Sequence, residues 1–449
     1  MPTQTLNLSD LQTRINLDGL GHEIYGLIEE LYPICRSITG DGFHQTLLRL
    51  GKQIPLKIHE VRSGTQVFDW TVPREWNIRD AYVKNMRGER VIDFRKHNLH
   101  VLNFSTPVHG KMSLPELKSH LFTLPDRPDW IPYRTSYYSE NWGFCLSHRQ
   151  LEGMADAEYE VCIDSSLENG RLTYGEYYLK GQTSDEVLIS CHACHPSLCN
   201  DNLSGVSVTT WLAKQLSQAS LRYSYRFLFI PGTIGSIVWL CLNEASVSII
   251  KHGLVLTCIG DRGNSTYKKS RRGDAEIDRA AAHVLKHSGR PYQILDFSPY
   301  GYDERQYCSL GFNLPVGCLM RTPHGCFPEY HTSADDLNFV DAGSLADSFF
   351  KCLSILGVLE NNRTYLNRNT KCEPQLGKRD LYGPIGGRDL KATEMAMLWA
   401  LSFSDGQHTL LDIADKSGIE FSVIARAAEA LCRHGLLKDI DAGEDREPG

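Results

Sequence analysis

The sequence predicts an α/β protein built on a twisted, mostly parallel sheet flanked by helices. Two observations carry this. Short apolar strands alternate with amphipathic helices over the middle of the chain, and the strands are apolar throughout, as strands covered on both faces are. The 449-residue length, with 41% hydrophobic and 22% charged residues, fits a globular chain of two or three domains.

In order, residues 18–54 read as helical, in "LGHEIYGLIEELYPI" and "GFHQTLLRLGKQI". From 61 to 155 the texture turns short, aromatic and Pro-interrupted ("TQVFDWTVPREWNIRDAYVKN", "YRTSYYSENWGFCLS"), which predicts a β-rich insert. "EYEVCIDSSLENGRLTYGEYYL" reads as a hairpin turning at Asn169-Gly170. The strands "DEVLIS", "YRFLFI", "GLVLTCIG" and "LPVGCLM" then alternate with the helices "TIGSIVWLCLNEASVSII", "DAEIDRAAAHVLKHSG" and "DAGSLADSFFKCLSILGVLE". Beyond a polar, turn-rich stretch, three helices with a helix-turn-helix pattern close the chain. The expected domains are 1–60 with 156–375, the insert at 61–155, and a unit at 380–449.

The formal charge of −7 argues against bulk attraction to nucleic acid or anionic membrane. From Ile385 to Gly449 there are 7 Lys/Arg against 12 Asp/Glu, so the helix-turn-helix pattern predicts packing or homo-oligomer formation rather than DNA binding. The first residues lack the basic flank and apolar run of a secretory signal, and "SIVWLCLNEASVSII" is too short to span a bilayer. A cytoplasmic location is the expectation. Most of the 14 cysteines sit singly in apolar runs, as small buried hydrophobes do.

The densest chemistry lies in "CHACHPSLCNDNLSG", Cys191 to Gly205. Cys191-x-x-Cys194-His195 spells a haem-attachment signature, but covalent attachment belongs to exported chains. A thiolate zinc cluster lacks a fourth ligand nearby, and a redox pair lacks its usual context. The cysteines therefore read as packing residues at a strand end. His195 and Asp201 read as hard ligands, Asp201 at a helix start that Asn202 and Ser204 cap. Asp261 ("CIGDRG") and His331 ("EYHTSADDL") lie at later strand exits that open on the same sheet edge. Two imidazoles and two carboxylates converging there suit zinc or a similar divalent ion.

Taken together, "HPSLCNDNLSGV", "PGTIGS", "CIGDRG", "GYDERQYCSLG" and "YHTSADDL" resemble, in order, the motifs of cocatalytic-zinc aminopeptidases. The whole chain from about 18 to 440 is similar to bacterial aminopeptidase-like proteins that add a β-rich insert and a C-terminal winged helix. The resemblance implies a zinc-aminopeptidase-like fold with His195, Asp201 and His331 as metal ligands, and Asp261 as a further acidic one. It also places Asp303 and Glu304 among the polar residues next to the substrate, either of them the catalytic carboxylate that stands in for a missing general base, with Tyr302 and Arg305 as substrate-binding residues. One departure stands out. Such proteins carry Pro-Glu before "TIGS", near the general base, where this chain has Pro231-Gly232. The implied function is a zinc-dependent hydrolase of a peptide or amide bond beside a free amine, on a peptide or amino-acid-derived substrate. One zinc is expected and a second is left open. The alternative is a repurposed scaffold that binds such a molecule without cleaving it.

Overall fold

The computed structural model describes residues 8–379, 381 and 388–441. They divide into two compact units. One takes in the chain to Asp278 with Pro291–Phe350, and the other takes in Arg279–Arg290 with the chain from Lys351.

The first unit is organised by an eight-stranded sheet. Its strands are β1 (Lys57–Arg62), β2 (Arg171–Leu179), β3 (Glu186–His192), β4 (Ser224–Ile230), β5 (Ile250–Leu256), β6 (Ser265–Lys268), β7 (Tyr292–Leu295) and β8 (Val316–Met320). They lie in the order β1-β2-β4-β3-β5-β8-β6-β7. The centre, β4-β3-β5-β8, is parallel; β1-β2, β2-β4 and β8-β6 are antiparallel. All seven residues of β3 are buried, with Ile189 opposite both Phe227 and Leu254. That double-sided burial explains why Val187, Leu188 and Ile189 follow one another with no in–out alternation.

The insert leaves the main sheet after Arg62 and returns at Arg171, which pairs with it across β1 and β2. Its own antiparallel sheet runs Arg90–Asp93, Glu75–Lys84, Glu158–Glu168, Val108–Ser113. The expected hairpin is therefore not one: Glu158–Glu168 and Arg171–Leu179 belong to different sheets. Asn169-Gly170 is the crossing point, where Gly170 N donates to Ser63 Oγ and Ser63 N to Gly170 O. Partners distant in sequence decide strand pairing, so a turn signal alone misleads.

In the second unit Thr364–Asn367 is the central strand between Asp405–Thr409 and Leu437–Asp439. With helices Arg388–Phe403, Leu410–Ser417 and Phe421–Arg433 it forms a winged helix. Its first strand lies ahead of the expected start at 380. Thr409 and Asp412 form a capping box on the middle helix, and Gly418 ends it in the left-handed region (φ 68°). The apolar helix Ala342–Asn361 is long enough to cross a bilayer, but 67% of its most apolar window is buried within the protein.

Candidate metal centre and active site

The site forms where the parallel strands end. β3 stops at His192, and the chain passes through His195 into an irregular turn, Cys199–Ser204, before helix Gly205–Leu216. Asn202 organises this turn. Its Nδ2 donates to the carbonyls of His192 and Leu256, while Oδ1 accepts from the N–H groups of Gly205 and Cys258. Asn202 thus supplies the helix-start contact; Ser204 instead donates to Asn200 O and accepts from Ile259 N. Asp335, wholly buried, accepts the N–H groups of Asn200 (2.6 Å) and Asp201 (2.9 Å) and fixes the turn from the far side.

Asp201, also wholly buried, is the hub. Its Oδ1 lies 2.8 Å from His192 Nε2, and its Oδ2 lies 2.9 Å from His331 Nε2 and 2.7 Å from the Tyr302 hydroxyl, which donates to it. His192, His195 and Asp201 each offer a donor atom within 4.8 Å of the others. The rings of His195 and His331 are 5.3 Å apart. Tyr302 stacks on His192 at 4.2 Å and Tyr330 on His331 at 4.0 Å, and the two tyrosine hydroxyls share a hydrogen bond.

Burial works to raise the Asp201 carboxyl, but His195, His192 and His331 outweigh it and hold the group well below the usual range, so it is anionic. Burial drives the His195 imidazole well below its ordinary value despite Asp201, which leaves a neutral ring with a free lone pair. An anionic carboxylate among imidazoles is the donor chemistry of a zinc-type site. His331 holds its place in the left-handed region (φ 55°), a strained backbone of the sort found at functional sites.

The remaining expected residues are placed as follows. Asp261 departs from the ligand expectation because its oxygens are taken up elsewhere. They accept from Asn200 Nδ2, Gly263 N, and Thr322 N and Oγ1, which makes Asp261 a brace for the loop behind the site. Glu304 is wholly buried and paired with Lys268, whose Nζ also donates to Tyr300 O (2.9 Å), so it anchors the loop rather than facing a substrate. Arg305 Nε is buried without a hydrogen-bond partner. Asp303 accepts from Ser236 Oγ at 2.9 Å, while its Oδ2 is buried with no partner. Burial raises its carboxyl to about 6. A Cβ on Gly232 would lie 3.5 Å from that same Oδ2 and 2.8 Å from His192 Cβ.

None of the 14 cysteines forms a disulfide. Burial pushes the Cys194 thiol up to about 12 and those of Cys191 and Cys199 higher still, so these are neutral thiols rather than thiolates.

Three groups were not singled out from the sequence. His192 was masked by its position inside an apolar strand, although the spacing His192-x-x-His195 was there to see. Arg36, fully buried, donates from Nε to His195 O at 3.0 Å. The insert also reaches the site: Tyr133 N donates to His331 O, and the Tyr133 ring lies 5.1 Å from those of both His195 and His331.

Residues 25–362 match a family described as a domain of unknown function, DUF4910, and residues 363–439 match a winged helix-turn-helix family. A Clostridium acetobutylicum protein, named a candidate polysaccharide biosynthesis protein with an aminopeptidase-like domain, is 57% identical over 424 residues, 94% of this chain and 98% of its own. The chain belongs to this aminopeptidase-like family. A crystal structure of a C. acetobutylicum candidate peptidase matches the aminopeptidase-like chain at 56% identity and a TM-score of 0.91, covering 95% of this chain and 98% of the other. A zinc aminopeptidase from Bacillus subtilis shares the fold at 11% identity, with a TM-score of 0.55 over 75% of this chain and 94% of its own. A peptidase M28 precursor from Shewanella amazonensis does so at 13% identity and a TM-score of 0.51, over 79% and 98%. The aminopeptidase-like protein thus has a hydrolase-type fold with a His/Asp cluster at its strand ends.

Proposed function

We propose that this chain is a zinc-dependent hydrolase of an amide bond beside a free amine, in which Asp303 supplies the carboxylate that position 232 lacks. The observation that carries this is the placement of Asp303 Oδ2, buried, unpartnered, and 3.5 Å from where a side chain on Gly232 would begin.

His195, Asp201 and His331, with His192 beside them, are the residues that would hold the ion. Zinc in such a site supplies Lewis-acid polarisation of a carbonyl and lowers the pKa of water. Asp303, with its carboxyl raised to about 6, is suited to take a proton from the attacking water near neutral pH and return it to the leaving amine. Tyr302 and Asp335 keep Asp201 in place, one through its carboxylate and the other through its backbone. The relative's name adds polysaccharide biosynthesis, which favours a specialised biosynthetic substrate over general peptides.

The test is turnover by zinc-loaded protein across aminoacyl amides, dipeptides and aminoacylated sugars, with Asp303→Asn as control. Turnover lost in that variant supports the reading; inertness of the wild-type protein toward the whole panel removes it. Gly232 favours a second reading, a binding protein on the same scaffold, which tight zinc and ligand-dependent thermal stabilisation without turnover would support.

A further inference from the structure

A cavity of about 570 Å³ opens from His195 and His331 into the insert, so whatever fills it lies beside the reactive centre. Its size falls within the range of small-molecule sites. Among the described residues the lining contains no carboxylate, which suits an anionic or neutral group better than an ammonium. The insert instead provides polar groups from Tyr133, Ser136, Tyr137, Ser139 and Asn141, together with one cation, Arg134. The Tyr133 and Tyr137 hydroxyls bond each other at 3.0 Å and Ser136 Oγ donates to Asn103 O, so Ser139 and Asn141 are the groups with most to offer a ligand. Among the described residues the Arg134 guanidinium makes no ion pair, and it lies 5.3 Å from the Phe122 ring, which also lines the cavity.

Between Tyr137 and Ser139 in the chain, Tyr138 lies outside the cavity lining and is paired with Trp70. Tyr138 is 51% exposed and Trp70 44% exposed, and their rings meet edge to face at 5.3 Å. Tyr138 holds a left-handed backbone (φ 62°), which is costly for a bulky residue. Strain of this sort persists where the surroundings impose it, and it clusters at ligand clamps.

We propose that this insert-lined cavity is the subsite for the leaving-group half of the substrate, and that it takes a sugar ring bearing an acidic group. The inference rests on the hydrolase reading for the term leaving group, but the binding claim stands on the lining alone. Ring faces of Tyr and Phe suit the C–H faces of a sugar, the Ser139 hydroxyl and Asn141 amide suit its equatorial hydroxyls, and the unpaired guanidinium suits a carboxylate. A dipeptide carboxylate would use Arg134 but leave Ser139, Asn141 and the exposed aromatics Tyr138 and Trp70 unused. A nucleotide would bring more phosphate charge than one arginine meets.

The experiment is saturation-transfer NMR on zinc-loaded full-length protein, with methyl β-glucuronide, methyl β-glucoside, Ala-Glu and uridine diphosphate as separate probes. We expect the glucuronide to bind, the glucoside to bind more weakly, and glucuronide affinity to fall about tenfold or more in Arg134→Ala, the scale of one charge-assisted contact. Arg134→Lys, which keeps the charge, should fall between them; both variants change an exposed side chain, and unchanged melting verifies their fold. Binding of Ala-Glu or uridine diphosphate with neither glycoside bound overturns the proposal. So does glucuronide binding that is indifferent to Arg134→Ala. Glycoside binding without turnover of any aminoacyl substrate leaves the subsite standing and removes the hydrolase reading, whereas turnover without glycoside binding does the reverse.

Discussion

Nε2 of His331 lies 2.9 Å from Oδ2 of Asp201, although 130 residues separate the two in the chain. The contact joins the loop after β8 to the turn after β3, and it brings a third imidazole to a carboxylate already flanked by His192 and His195. A buried anion surrounded by three imidazoles needs positive charge to be stable there, and a divalent cation held as proposed above would supply it.

Tyr302 tunes that arrangement without being a ligand. Its hydroxyl donates to Asp201 Oδ2 while its ring covers His192. Tyr302→Phe keeps the ring and deletes the donor. We expect metal affinity to drop about 10–100-fold, the usual effect of losing an outer partner. Competition against a fluorescent chelator measures it, and an unchanged affinity contradicts the role.

Asp303→Asn should lower kcat by about 10²–10⁴-fold, the contribution of a positioned acid–base group. The acid limb of the pH–rate profile, expected near pH 6 in the wild-type protein, should vanish with it. The sign for stability is separate. The folded carboxyl titrates at about 6 against an ordinary 3.8, so between those values the folded state holds a proton that the unfolded chain has released. Stability from this group therefore falls as pH rises across that window. Chemical denaturation at several pH values should show a shallower slope in the variant.

How far the sequence disclosed this site depends on distance along the chain. His195, Asp201 and His331 were legible because each sits in a loop after an apolar strand, and parallel strands bring such loops to one edge. Asp261 looked equivalent by that criterion, but strand-exit position says nothing about which way a carboxylate turns. Here the neighbouring N–H groups and Asn200 claim it. The sheet's parallel centre followed from composition, while the Asn169-Gly170 crossing did not, because pairing with Glu75–Lys84 and β1 is non-local. Arg36 and Tyr133 lie in segments with no metal-type motif, and only tertiary contact reveals them.

Position 232 separates two effects. Gly232→Ala puts a Cβ 2.8 Å from His192 Cβ, so it should cost about 1–3 kcal/mol through overpacking, read as a lower Tm. Gly232→Glu adds to that a like charge beside Asp303, so it is not a simple restoration of the usual acid. We expect its acid limb to move to higher pH, as paired carboxylates do. A limb that stays in place would show that Asp303 does not face this position.

The charge of the winged helix leads us to expect no binding to a DNA duplex. Its third helix, Phe421–Arg433, carries Arg426 and Arg433 against Glu429, with Glu420 at its cap. Mobility-shift titration at physiological salt should show no retardation of random-sequence DNA. Salt-sensitive binding below micromolar would contradict the charge reading.

The claim on which all of this depends is that Asp201 and its imidazoles grip one cation. Elemental analysis of purified protein, repeated for Asp201→Asn and His331→Ala, tests it most directly. The account predicts about one zinc per wild-type chain, with melting lowered on chelation, and a metal content near zero with no chelator response in both variants. A metal-free wild-type protein that cannot be loaded, or variants that keep their zinc, would contradict it.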